Sequence, residues 1–294
     1  MYIDGVFSGG GIKGFALIGA YEAIEEKGIK FKRIAGTSAG SIVASLIIAG
    51  YTSNEIKTAM DEIDLTKFLD PRRTKIPIPF GNWILLYWRL GLYKGEVLEE
   101  WLESKLAAKG IRTFQDLPEN SLRLIASDLT NGKLLVLPDD LKYYGVNPQT
   151  FPVAKAVRMS CSIPYFFEPV TLRPRTGKSL VVDGGVLSNF PIWLFDNDNG
   201  MQKRPVLGVK LSGNDAYLPI NKINNAFGLF TALFETMMKA HDLRYISREH
   251  EKNIVFIPTD SGLSVEFGIT QEKKEALIKQ GKERTEQFLA KWCY

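Results

Sequence analysis

The sequence predicts an α/β fold built on parallel strands, from three observations. A strand-like run, Tyr2 to Phe7, ends in Ser8-Gly-Gly-Gly-Ile-Lys-Gly14 and passes into a helical pattern. A second run, Phe31 to Ala35, ends in Gly36-Thr-Ser-Ala-Gly40 and passes into a helix that is apolar nearly all round. Strand–helix–strand units close as right-handed parallel crossovers, so both glycine-rich turns fall at the same end of the sheet.

The elements follow in order. A helix spans Phe15 to Lys27, with Gly28 as its stop. The buried helix after Gly40 runs towards Gly50, and Thr52 to Phe68 continues the helical pattern. Pro71 to Lys94 mixes Phe80, Trp83, Trp88 and other bulky apolar groups with Arg72, Arg73, Lys75 and Arg89. Packing against the core is the favoured reading of that segment. A lid or a transient membrane-surface contact through Phe80, Trp83 and Trp88 is the alternative. An amphipathic helix spans Val97 to Lys109, and a strand spans Ser121 to Ser127 with Asp128 at its end. A hairpin turns at Asn131-Gly132. Pro152 to Ser160 is helical, and Ser162 to Pro169 is a proline-punctuated loop lining a pocket. Strands follow at Ser179 to Val182, before Asp183-Gly184-Gly185, and at Val206 to Leu211. A long apolar helix (Asn225 to Ser247), a strand (Asn253 to Ile257) and a charged helix (Thr270 to Trp292) complete the chain.

With 294 residues and no linker-like composition shift, one domain over 1–294 is expected. A hydrophobic content of 45% and a charged content of 24% describe an ordinary globule. The net charge of +4 makes no case for nucleic acid. Cys161 and Cys293 have no metal-type spacing, and Asp196 to Gly200 fails as a calcium loop because Leu207 stands at its twelfth position. Neither a metal nor a cofactor is expected. The N-terminus carries no signal-peptide pattern, and the longest apolar runs are too short to span a bilayer. A cytoplasmic protein, associated at most with a membrane surface, is the expectation.

The loop Gly9-x-Gly11-x-x-Gly14 formally fits a dinucleotide fingerprint. That reading needs a carboxylate at the end of the second strand, and Ile34-Ala35-Gly36-Thr37 supplies none. A Walker loop needs Lys-Ser/Thr after its last glycine, and Phe15 follows Gly14. The remaining use for bare N–H groups beside a serine is an oxyanion hole. Ser38, at the strand-to-helix turn, is the candidate nucleophile; Gly36 and Gly40 leave the turn room to form. Its base is open at this point. His241 and His250 are the only histidines, both within or just after a helical pattern, whereas Asp183 ends a strand and precedes two glycines. An apolar pocket would raise an aspartate's pKa enough to make it a useful base.

Taken together, Gly9 to Gly14, Gly36 to Gly40, Ala156 to Pro169 and Asp183-Gly-Gly185 resemble the patatin-like phospholipases. The resemblance covers residues 2 to about 211; the remainder, 215–294, carries no diagnostic motif. It implies a three-layer α/β/α sandwich with a mostly parallel central sheet. It also implies a Ser38–Asp183 dyad without histidine, and calcium-independent release of fatty acid from lipid or phospholipid esters. The Gly9, Gly10 and Gly11 amides, with that of Ala39, would form the oxyanion hole, supported by Lys13, Gly14, Gly36, Gly40, Gly184 and Gly185. Lys13 stands where many members carry arginine, and Ser8 where many carry aspartate. An acyltransferase or thioesterase using the same site, and a non-catalytic lipid binder, are the alternatives.

Overall fold

In the computed structural model of the chain, residues 1–62, 65–71, 86–174, 177–196, 204–213, 223–224, 226–246, 248–259 and 268–293 are described. Phe80, Trp83 and most of the Asp196 to Gly200 turn lie outside them.

The crossover forms as expected. Strand β1 (Tyr2–Phe7), helix α1 (Phe15–Glu26) and strand β2 (Lys30–Thr37) follow one another. The two strands pair in parallel from Tyr2 opposite Lys30 to Phe7 opposite Gly36. Helices α2 (Ala39–Ile48) and α3 (Ser53–Asp61) come next. Thr52 and Glu55 cap α3 reciprocally, which fixes its start. The helical pattern stops earlier than expected, at Asp61, and resumes as a tight turn over Leu65–Phe68.

After β3 (Gly91–Tyr93) and α4 (Glu96–Ala108), the chain returns to the sheet with β4 (Leu122–Asp128) and its hairpin partner β5 (Lys133–Leu137). Helix α5 (Val153–Ser160) precedes β6 (Tyr165–Phe167), β7 (Val170–Leu172) and β8 (Ser179–Asp183). The chain closes with β9 (Val206–Gly213), α6 (Ala226–Tyr245), β10 (Ile254–Thr259) and α7 (Gln271–Leu289).

The main sheet runs β10-β9-β1-β2-β4-β8-β7, with β5 also on β4. The five strands from β10 to β4 are parallel; β8, β7 and β5 are antiparallel to their neighbours. Alternate residues feed two cores. Ile3, Phe7, Ile34 and Val209 meet the larger core, shared with α1 to α5. Val6, Ala35 and Ile254 meet a second, with Phe190, Ile192 and Ile246, on the opposite face. The result is a three-layer sandwich around a mostly parallel sheet.

Two features escaped the sequence pattern. The loop from Ser162 to Pro169 contains β6, which pairs in parallel with β3 as a separate two-stranded sheet. The charged C-terminal helix also has a definite seat. Gly19 of α1 faces the Ile278 carbonyl of α7, and Gly281 of α7 faces the Ala16 carbonyl of α1, so a side chain on either would meet main chain. Lys282 binds Glu22 at 2.8 Å and Glu26 at 2.6 Å along the same seam.

Candidate active site

Ser38 stands between β2 and α2 with φ 52° and ψ −124°, a conformation that a non-glycine residue adopts at a cost of roughly 1–3 kcal/mol. Its neighbours hold it there. The Ser38 carbonyl accepts the Ser41 N–H at 2.8 Å, the Ser41 hydroxyl at 2.6 Å and the Cys161 thiol at 3.3 Å. The Ser38 N–H donates to Ser160 Oγ at 3.0 Å, and Ser160 in turn donates to the Ile125 carbonyl at 2.6 Å. A side chain on Gly40 would strike the Phe7 carbonyl, so the turn closes only around a bare backbone.

The glycine loop lies against this turn. A Cβ built on Gly9 would stand 3.2 Å from Ser38 Cβ, and one on Gly14 would stand 2.7 Å from Ala39 Cβ. The expectation for Gly9 needs correcting. Its N–H donates to the Asn189 carbonyl at 3.1 Å and is therefore already engaged. Gly10 and Gly11 open the short 3-10 turn Gly11–Gly14, where amides have no partner within the turn. No hydrogen bond among the described residues uses either N–H. Ala39, at the first position of α2, is placed in the same way. Lys13 is half-buried within the loop, and its N–H donates to the Gly10 carbonyl at 3.2 Å.

Asp183 reaches this place along an antiparallel strand. In register, β8 sets Asp183 opposite Ala126, one residue beyond the Ile125 that pairs with Thr37. The carboxylate is thereby delivered to the level at which β2 ends. Asp183 is 1% exposed. Its Oδ1 accepts the Gly185 N–H at 2.7 Å, within the turn that Gly184 and Gly185 make, and Oδ2 has no partner among the described residues. Burial pushes its pKa up to about 7, against the smaller, opposing pull of the Ser38 hydroxyl and the Gly185 N–H.

The histidines are differently placed. His250 Nε2 lies 2.7 Å from Asp196 Oδ1, in the short helical turn just before β10, at the opposite end of the parallel sheet from Ser38. His241 falls on α6, and its side chain lies outside the described residues.

An apolar pocket opens beside Ser38, about 710 Å³ including the space at its mouth. Gly11, Ser38 and Ala39 form one wall; Phe15, Ile56, Met60, Phe68, Leu98 and Phe167 are among the others. Cys161 also lines it, with burial pushing its thiol up to about 12. The packing expected of the Pro71 to Lys94 segment is met at Tyr93, which packs on Phe166, but not at Tyr87 and Trp88, which are 76% and 75% exposed. Both precede β3, whose Gly91 pairs with the exposed Tyr165 of β6, and Phe167 of β6 lines the pocket.

Several site residues were not legible beforehand. Ser160 tethers the Ser38 amide. Arg158, buried, donates to the carbonyls of Gly95 at 2.9 Å and Glu168 at 2.9 Å, and also to Lys94 O and Ser162 Oγ, so it ties α5 to the β3–β6 region. Asn189 joins the loop after Asp183 to Gly9. A lone polar residue, whether on a short helix like Arg158 and Ser160 or in a loop like Asn189, carries no sequence pattern that would single it out.

Comparison with known proteins identifies the family and the fold. The sequence profile of the patatin-like phospholipases matches residues 5–196. The uncharacterized protein YqhO of Bacillus subtilis (strain 168) is 60% identical over the full length of both chains. The probable lipid hydrolase 463L of Invertebrate iridescent virus 6 is 29% identical over 195 residues, 64% of this chain and 61% of its own. Among solved structures, VipD from Legionella pneumophila superposes with a TM-score of 0.58 at 20% identity, covering 99% of this chain and 67% of VipD. A glycine loop, a strained serine and a buried aspartate, on this sheet and within this matched stretch, make the chain a member of the patatin-like phospholipase family.

Proposed function

We propose that the chain is a serine-dependent lipid acyl-ester hydrolase. The observation that carries this reading is a strained Ser38 at the wall of an apolar pocket, its hydroxyl acting on the buried Asp183 carboxylate. A serine hydroxyl needs a base, and a buried carboxylate with a pKa near 7 is one that works at neutral pH. Ser38 Oγ attacks the ester carbonyl as Asp183 takes its proton. The Gly10, Gly11 and Ala39 amides stabilise the oxyanion, and the alcohol leaves with the proton from Asp183. Water then attacks the acyl-enzyme, gives a proton to Asp183, and the fatty acid is released as Ser38 recovers it.

The pocket's almost wholly apolar lining suits an acyl chain. The likeness to a probable lipid hydrolase supports the same substrate class. The exposed Tyr87, Trp88 and Tyr165 support transient contact with a membrane surface, because such rings favour the lipid–water boundary. Among the described residues no helix is long and apolar enough to cross a membrane.

The test is hydrolysis of a lipid panel by the wild type, Ser38→Ala and Asp183→Asn, with products identified by mass. Loss of fatty-acid release in both variants, with fluorophosphonate labelling of Ser38 in the wild type, is the expected result. An unlabelled Ser38 would favour a non-catalytic binder. Transfer of the acyl group to an added alcohol or thiol in preference to water would favour an acyltransferase. Inactivity of His241→Ala alone would restore a histidine base.

A further inference from the structure

We infer that Asn189 is a positioning residue for the hydrolytic half of the reaction, holding the water that cleaves the acyl-enzyme. The inference rests on the Ser38–Asp183 reading. Asn189 is 6% exposed, and its side-chain oxygen, Oδ1, has no hydrogen-bond partner among the described residues. A buried amide oxygen left unmatched is destabilising, so its retention calls for a reason.

Its location supplies one. Oδ1 fills the space beside Gly9 in which a Cβ would sit, and that same position is 3.2 Å from Ser38 Cβ. On its other side, the position of a Cβ on Gly185 is 3.5 Å from Asn189 Oδ1 and 3.0 Å from Asp183 Oδ1. The orphaned acceptor thus stands between the glycine loop, the serine and the aspartate. Holding the loop does not need this side chain: the Gly9 N–H bonds to the Asn189 main-chain carbonyl.

The chemistry distinguishes the two halves of the reaction. In acylation the leaving ester oxygen carries no hydrogen and has nothing to donate to Oδ1. In deacylation the attacking water has two. One O–H faces Asp183, which accepts its proton as the oxygen bonds to the acyl carbon. The other donates to Asn189 Oδ1 and fixes the oxygen's orientation. The tetrahedral intermediate then collapses, the bond to Ser38 Oγ breaks, and Asp183 returns the proton to Oγ. Acid, serine and carboxylate are all accounted for.

The experiment is pre-steady-state hydrolysis of a 4-nitrophenyl acyl ester by the wild type, Asn189→Leu and Asn189→Ser, with the acyl-enzyme followed by intact mass. Leucine matches the shape without the acceptor; serine restores an oxygen and leaves room for water. The expected result is an unchanged nitrophenol burst in Asn189→Leu, steady-state turnover slower by roughly 10- to 100-fold, accumulated acyl-enzyme, and partial recovery in Asn189→Ser. An equal fall in burst and turnover, or no change in either, would overturn the inference while leaving the dyad intact. Absence of both an acyl-enzyme and fluorophosphonate labelling at Ser38 in the wild type would instead remove the dyad on which it stands.

Discussion

Asp128 and Asp183 lie on paired antiparallel strands, with Asp183 opposite Ala126 and Asp128 opposite Val181, yet their surroundings drive their protonation in opposite directions. Both are buried. Burial alone would raise Asp128, but its carboxylate accepts Asn131 Nδ2 at 2.6 Å, the Tyr144 hydroxyl at 2.7 Å and two turn amides, and the net shift is downward. Asp183 has only the Gly185 amide on Oδ1 and the Ser38 hydroxyl to oppose burial, so burial prevails and its pKa rises to about 7. Of two neighbouring acids, one is held as a structural anion and the other is kept poised to exchange a proton.

A pH profile follows. On the proposed dyad Asp183 must be ionised to accept the serine proton, so kcat/KM should rise with pH and reach half its plateau near pH 7. Initial rates on a soluble ester between pH 5 and 9 would show it; a flat profile down to pH 5 would contradict it.

The same shift affects stability with the opposite sense. Asp183 ionises near 4 when unfolded and near 7 when folded, so the native state binds the extra proton between those values. Its contribution to stability is fully present below about pH 4 and is lost as pH rises through 7. Asp183→Asn, which cannot ionise, should therefore melt at a higher temperature than the wild type at pH 8, by an amount that shrinks at pH 5. Thermal unfolding at both pH values gives the answer, and equal differences would refute it.

Cys161 should be unreactive in the folded protein. Its thiol is buried and its pKa is pushed up to about 12, whereas Cys293 is exposed. Iodoacetamide at pH 8 followed by peptide mapping should modify Cys293 alone, with Cys161 joining only in denaturant.

Removal of the exposed rings should weaken membrane contact without disturbing the fold. Tyr87→Ser with Trp88→Ser is expected to lower sedimentation with phospholipid vesicles several-fold and leave hydrolysis of a soluble ester within about two-fold. Unchanged vesicle binding would show that these residues face water for another reason.

The crossover, Ser38 and the glycine loop were legible because each rests on local chemistry: small residues at a tight turn between a strand and a helix. Asp183 was legible as a strand end, but not the direction of its strand, because β8 finds its place through pairing with β4 rather than through its own pattern. The commitment of the Gly9 amide depends on the Asn189 carbonyl, 180 positions along the chain, and no spacing rule connects the two. Tyr87 and Trp88 were misjudged for a related reason. Bulky rings usually mean packing, and only the fold shows that these two are exposed.

The glycine seam between α1 and α7 bears on how small a working fragment can be. The matched family stretch ends at residue 196, but α1, which the glycine loop proposed as oxyanion hole leads into, leans along its length on a helix from the last quarter of the chain. A polypeptide cut at the profile boundary would therefore expose the flank of the helix that aims those amides. Shortening this protein from its far end should blunt its chemistry at the near one.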